Sequence, residues 1–272
     1  MSNKIIPFVT ILLIAGSMHS AQAQEKSGFF AWVHGDWYLT VGAAGSIAPE
    51  FEGASKMIFR AAPMISLGKK GPEARFSSRN DNISFALYEA GSFRAGAVGK
   101  IVFPRDEDDS DGLKGLDPVE WGGEVGGFAE FYPTDWLRVR GEVRQGIRAH
   151  HGVVADVAVD AFKDVTETIR VSGGPRVSMA SADYFETYYG VDAEESKKSG
   201  LKEYDPGGGF KSVGAGGAIT WKATDRVTAS LFGEYARLVG PAADSSLVKQ
   251  HGSKDQFMIG LSSTYRFDFT IP

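Results

Sequence analysis

From Trp136 onward the chain alternates with a period of two: Arg138, Arg140, Glu142, Arg144 and Arg148 hold even positions while Leu137, Val139, Val143 and Ile147 hold odd ones. A helix turns once in about 3.6 residues and would scatter both sets over every face, so this pattern requires an extended strand with one apolar and one charged side. It recurs along the chain. Val153, Ala155, Val157 and Val159 alternate with Asp156 and Asp160, and Ile169, Val171, Val177 and Met179 with Thr168, Arg170, Ser172 and Arg176. Near the C-terminus Phe257, Ile259, Leu261, Tyr265, Phe267 and Phe269 alternate with Gln256, Ser262, Thr264, Arg266 and Asp268.

A soluble sandwich alternates too, so loop lengths must decide what the apolar face meets. Candidate strands fall at 37–46, 56–68, 73–79, 82–89, 93–103, 120–132, 136–148, 153–163, 167–180, 209–222, 226–238 and 256–269. That makes about twelve, an even number as in bacterial single-chain barrels. Both termini then lie at one end. The tight connections 69–72, 90–92, 133–135, 164–166 and 223–225 share that end, and the long ones 104–119, 181–208 and 239–255 share the other. Short periplasmic turns with long external loops are the asymmetry of an outer-membrane barrel, whereas a sandwich has no reason to sort its loops. On this reading 184–189 belongs to a long loop, since counting it as a strand breaks both parity and sorting. The expected fold is therefore all-β, an antiparallel transmembrane β-barrel.

The N-terminus supplies an address. Lys4 precedes the apolar run 5–15 and then Ala21-Gln22-Ala23, the small-x-small pattern read by signal peptidase, which places cleavage after Ala23. The apolar run is about half of the ~20 residues that a spanning helix needs. The expected organisation is a signal peptide at 1–23, a periplasmic segment at 24–36 and the barrel at 37–272, in the outer membrane and in contact with its lipid. Export without a single cysteine means that backbone hydrogen bonds and packing alone must close the fold. A net charge of −5 gives no footprint for nucleic acid.

Candidate chemistry is sparse. There is no Gly-x-Ser-x-Gly elbow, His-Glu-x-x-His pair, phosphate loop or cysteine nucleophile, so no catalytic, cofactor or metal residue is assigned and the chain reads as a non-enzyme. His150 and His151 are expected to be solvated in a tight external turn. The run 106–112 resembles the start of a calcium loop, but the twelfth position from Glu107 is Pro118, where a bidentate Glu is needed. A solvated loop is the plainer reading, with divalent-cation bridging to lipopolysaccharide as the alternative. The glycine-rich stretch 207–217 reads as a loop end feeding a crowded, curved strand. The inward charges Arg138, Arg140, Glu142, Arg144, Asp156, Asp160, Arg170 and Arg176 would line one lumen, with Arg60, Arg94, Lys100, Glu124, Glu130, Glu234 and Arg266 beside them. Mixed signs fit either a packed, ion-paired interior or a narrow aqueous pore, for which the arginine excess favours anions.

The C-terminal half carries an ordered series of motifs: Tyr188-Tyr189-Gly190-Val191, Ser199-Gly200-Leu201, Tyr204, Gly208-Gly209, Lys211-Ser212-Val213, Tyr235-Ala236-Arg237-Leu238, and Ala242-Ala243-Asp244-Ser245-Ser246-Leu247-Val248. With Glu50-Phe51-Glu52-Gly53, Leu113-Lys114-Gly115-Leu116 and a closing Tyr265-Arg266-Phe267, the series resembles the MipA/OmpV family across the mature chain. Two positions depart from it: Ser246 stands where the family commonly has Pro, and the chain ends Phe269-Thr270-Ile271-Pro272 rather than on an aromatic. The resemblance implies a non-enzymatic scaffold that joins a lytic murein transglycosylase to a murein synthase. A narrow porin or ligand-binding barrel, and a lipid hydrolase, are the other readings. The motif residues Tyr189, Gly190, Val191, Ser199, Gly200, Tyr204, Asp244 and Ser245 fall in external loops on the expected topology, out of reach of a periplasmic partner.

Overall fold

The computed structural model describes residues 34–69, 75–79 and 81–272. The signal peptide expected at 1–23 and most of the segment 24–36 lie outside the described residues. Eleven antiparallel strands follow: β1 (Gly35–Pro49), β2 (Met57–Lys69), β3 (Ile83–Ala90), β4 (Phe93–Val102), β5 (Gly122–Thr134), β6 (Leu137–Ile147), β7 (Val153–Asp164), β8 (Ile169–Ala180), β9 (Gly209–Lys222), β10 (Val227–Leu238) and β11 (Asp255–Ile271). They form one sheet in the order β2-β1-β11-β10-β9-β8-β7-β6-β5-β4-β3. β1 and β11, the first and last strands in sequence, pair with Gly35 opposite Ile271, so the start of β1 and the end of β11 meet at the end that carries the short turns.

The alternation sets the two faces. Phe59, Leu87, Val143, Ile219 and Leu261 stand exposed on the outer face, while Arg138, Arg140, Arg144, Glu124, Glu130 and Asp160 are buried inside. In water this would be an inverted protein; in a bilayer the outer face meets hydrocarbon and the charges stay away from it. Among the described residues no helix is long and apolar enough to cross a membrane. The crowding expected of the glycine-rich stretch is visible at Gly214 in β9, where an added Cβ would lie 2.1 Å from the Tyr235 carbonyl oxygen. The strands there approach more closely than any side chain allows.

The strand count corrects the sequence reading. Residues 75–79, expected within a strand at 73–79, are irregular; 73 and 74 lie outside the described residues. Because β2 and β3 are each antiparallel to their single partner, and ten pairings separate them around the sheet, both run in the same direction. The chain must therefore climb from the end of β2 back to the start of β3. The described residues of that climb lie inside the barrel: Arg75 Nε bonds Glu89 at 2.8 Å, Phe76 stacks on Phe162 of β7 at 4.3 Å, and Asn82 donates to Glu142 of β6 at 2.7 Å. A strand there would have pointed alternate side chains into lipid, and Arg75, Ser77 and Arg79 share one such face.

The long loops also differ from expectation in being folded. Residues 184–189, read as loop, belong to helix α1 (Ala182–Tyr189), followed by α2 (Ala193–Ser199), α3 (Gly240–Asp244) and α4 (Ser246–His251). None of these adds a spanning strand, so the long loops keep their shared end, while the expected tight connection 69–72 gives way to the single run from β2 to β3. Asp192 caps α2 in a reciprocal box with Glu195, and Gly200 ends it at φ 77°, a left-handed position that glycine takes without strain.

Replacing Val143 on the lipid face by Arg should cost about 2–4 kcal/mol, as for a charge near the bilayer midplane. Urea unfolding of the chain in vesicles measures this, and Val143→Leu serves as the neutral control.

Candidate functional site

Three arginines on the inner face of β6 organise the lumen. Arg138 grips Asp81 with both terminal nitrogens, at 2.7 and 2.8 Å, and reaches Asp160 at 2.6 Å and Glu130 at 3.1 Å. Arg140 bonds Glu142 through Nε at 2.7 Å and also pairs with Glu130. Arg144 is held by Glu124 at 2.7 Å, Glu142 at 2.5 Å and Asp156 at 2.6 Å. Period-two spacing places all three on one side of one strand, and the carboxylates come from β5, from β7 and from β6 itself. Arg176 of β8 closes onto Asp160, Arg94 onto Glu130 and Lys100 onto Glu124. Asp81 is the contribution of the internal segment. Without it, six lumen cations would face five carboxylates in this network.

Apolar rings complete the packing. Arg138 lies over the Phe76 ring at 4.9 Å and Arg140 over Phe128 at 4.2 Å, while the Tyr132 hydroxyl donates to the Phe76 carbonyl at 3.2 Å. A charge this deep is tolerated only when paired and fully bonded, which explains why removing a partner is so damaging.

Of the lumen charges expected from sequence, Arg138, Arg140, Glu142, Arg144, Asp156, Asp160 and Arg176 lie in this one network. Arg170 stands apart at the short-turn rim, paired with Asp164 at 2.7 Å. Phe76 was missed because 73–79 reads as a strand, and Asp81 and Asn82 because they read as the turn before an apolar strand and its first residue, with no lumen role. His150 is corrected as well. It is 2% exposed rather than solvated, contacting Glu124 at 3.3 Å and standing edge-on to Tyr184 and Tyr188. Among the described residues no cluster of three or more His, Asp or Glu could hold a metal.

Against the network lies a cavity of about 860 Å³, whose walls include Arg60, Lys100, Glu124, Arg144, Lys211 and Gln256. The helical loops roof it through two apolar clusters, one built on Tyr184, Phe185, Tyr189, Leu238 and Val248, the other on Phe51, Leu113, Leu116, Val191, Leu201 and Leu247. The motif residues are the joints of this roof. Ser245 donates to the Tyr189 carbonyl at 2.7 Å, Val191 bridges to Tyr204, the Tyr204 hydroxyl donates to the Pro241 carbonyl at 2.9 Å, and Ser199 donates to the Glu195 carbonyl at 2.6 Å. Gly190 and Gly200 terminate α1 and α2, and Asp244 pairs with Lys249 at 3.1 Å. Ser246, the departure from the family pattern, donates to the Lys202 carbonyl at 2.7 Å.

The sequence pattern of the family described as "MltA-interacting protein MipA" matches residues 41–267, which takes in β2 to β10 whole, most of β1 and β11, and every roof motif. The chain belongs to this family. Two MipA/OmpV relatives are similar along their whole length: "Outer membrane protein OmpV" of Vibrio cholerae and "Outer membrane protein Omp26La" of Vibrio anguillarum. Each is 24% identical over 285 residues, covering 97% of this chain and all of its own. Their address is this chain's address, the outer membrane. Among solved structures the NanC porin aligns over 85% of this chain and 98% of its own, at 6% identity and TM-score 0.40. Neisserial surface protein A aligns over 85% and 97%, at 9% identity and TM-score 0.29.

One roof contact is acid-sensitive. Glu52, in the β1–β2 loop, meets Lys211 at 2.8 Å and the Tyr184 hydroxyl at 2.7 Å. Burial alone would raise its pKa, but Lys211 and these hydrogen bonds outweigh burial and leave it lowered. A lowered carboxylate contributes stability above its unfolded value and loses it as pH falls through the folded one. Roof protection in hydrogen exchange should therefore fall on acidification, and Glu52→Gln should flatten that dependence. In the lumen, Arg138→Ala should cost about 3–5 kcal/mol, as for breaking a buried pair, measured by urea unfolding.

Proposed function

We propose that this chain is a non-conducting, non-enzymatic barrel that holds murein-processing enzymes at the outer membrane, a lytic murein transglycosylase and with it a murein synthase. The observation that carries the reading is the filling of the lumen at the short-turn end by the internal segment and the arginine network, a poor design for a channel and a rigid one for an anchor. The family description, which names interaction with MltA, supports the partner class.

Burial of the motif residues supports docking of a periplasmic partner at the opposite end. Tyr189, Val191 and Ser245 are taken up by the roof, at 0%, 3% and 0% exposure, and so are spent on folding the external end. The short-turn rim is the surface left for a partner, and it presents Trp136 at 55% and Val165 at 63% exposure. Exposed aromatic and aliphatic anchors beside charged turn residues are the composition of a binding hot spot.

A second reading rests on the cavity, whose volume lies in the range of small-molecule sites, roughly 300–1,000 Å³. On that reading the barrel binds a solute under the roof.

Immobilised, refolded protein should retain a lytic transglycosylase, and Trp136→Ala with Val165→Asp should weaken retention by tenfold or more, about 1.4 kcal/mol. Retention unchanged by the rim variants, or no retention of any murein enzyme, contradicts the anchor.

A further inference from the structure

The sheet has a seam. Among the described residues β2 pairs only with β1 and β3 only with β4, and because both run the same way they form no antiparallel ladder with each other. β3 is also short. Its first residue, Ile83, sits opposite Gly99, so the stretch 100–102 of β4 has β5 on one side and, among the described residues, no strand on the other. Above the top of β3 the two lips of the seam are therefore the external end of β2 and the external end of β4. The cavity reaches both: Ile58 and Arg60 line it from β2, and Ile101 and Val102, with Phe103 just beyond, from β4. The lipid side of each lip is apolar, with Phe59 at 71%, Ile101 at 58% and Phe103 at 70% exposure.

The charges behind the seam differ from those of the network below. Arg60, Arg79 and Arg105 line the same cavity, and among the described residues none has a carboxylate within ion-pairing distance. Arg60 donates to the Glu50 carbonyl, Arg105 to the Tyr188 carbonyl at 3.1 Å, and Arg79 only to the Met64 sulfur at 3.9 Å. Nearby acids are engaged elsewhere: Glu50 with Lys56 at 3.0 Å, Glu52 with Lys211 at 2.8 Å. Arg60 and Arg105 flank one turn, since Arg105 also lies over the ring of Phe51, next to Glu50. Three guanidinium groups without an ion-pair partner, in a cavity that both apolar lips line, form an acceptor for an anion that arrives through the bilayer. Guanidinium is suited to this, because its fork matches the oxygens of a phosphate.

From this we infer a lateral lipid site: a phospholipid with an exposed phosphate headgroup enters at the β2–β4 gap, its phosphate held by Arg60, Arg105 and Arg79, while its acyl chains stay in the membrane against Phe59, Ile101 and Phe103. The solute reading of the cavity takes its ligand from water; this one takes it from the external leaflet.

The full refolded chain in mixed micelles, read by native mass spectrometry, tests it. Phosphatidic acid should be retained roughly tenfold better than phosphatidylcholine with the same chains, a difference that one or two charge-assisted contacts supply. Arg60→Gln with Arg105→Gln should reduce phosphatidic acid to the phosphatidylcholine level, and Lys at both positions should restore part of the preference. Arg79→Gln alone is the second variant if the pair fails to give heat-modifiable gel mobility. Because the chain has no cysteine, Phe103→Cys carrying a bulky maleimide adduct should block lipid retention selectively. Equal retention of the two lipids, no effect of the arginine variants, or displacement of phosphatidic acid by equimolar inorganic phosphate would overturn the site.

Discussion

The bidentate pair between Arg138 and Asp81 is the interaction on which the interior depends. β6 places Arg138, Arg140 and Arg144 on one face because a strand has no alternative, and every neighbouring strand answers with a carboxylate. The strands alone leave this cluster one carboxylate short. Asp81, carried inward by an irregular segment, supplies the missing charge, and the geometry of a fork on two oxygens fixes where the segment lies. The same commitment explains the odd number of strands, since a segment spent inside the lumen cannot also be a strand in the wall.

From that constraint the layers follow. Ion pairs and stacked rings fill the short-turn end of the lumen and continue up β6 to Arg144, a cavity lies against that network, and a helical roof with an apolar core of its own covers the external end. Buried ion pairs contribute little net stability when intact and are costly to break, so the network acts as a device for specifying one arrangement rather than as a source of stability. The roof is the reverse case, an ordinary apolar core built from Tyr189, Phe185, Leu201 and Leu247 on top of a membrane protein. Loops of this length would otherwise be open to solvent; here motif serines, tyrosines and glycines join them.

Much of the fold was legible in the sequence because period-two alternation is a local property. β4 to β11 were found within a few residues of their bounds, since lipid outside and charge inside give the strongest contrast a strand can have. The failures share one cause. Residues 75–82, α1 and His150 are placed by contacts with residues distant in sequence: Asp81 by Arg138, Tyr184 by Glu52, His150 by Glu124. No window on the chain contains both partners. The family motifs were legible as a resemblance, but their work in joining the roof was not, because it emerges only when 189–191, 204 and 245 meet.

On the reading proposed above, the internal segment and the arginine network close the lumen. Ion conductance across planar bilayers tests it most directly. The refolded chain should be silent, and conductance should appear when Asp81 and Asn82 are both replaced by Ala, which frees the segment from β6. Steady ion flow through the unaltered chain would contradict the account.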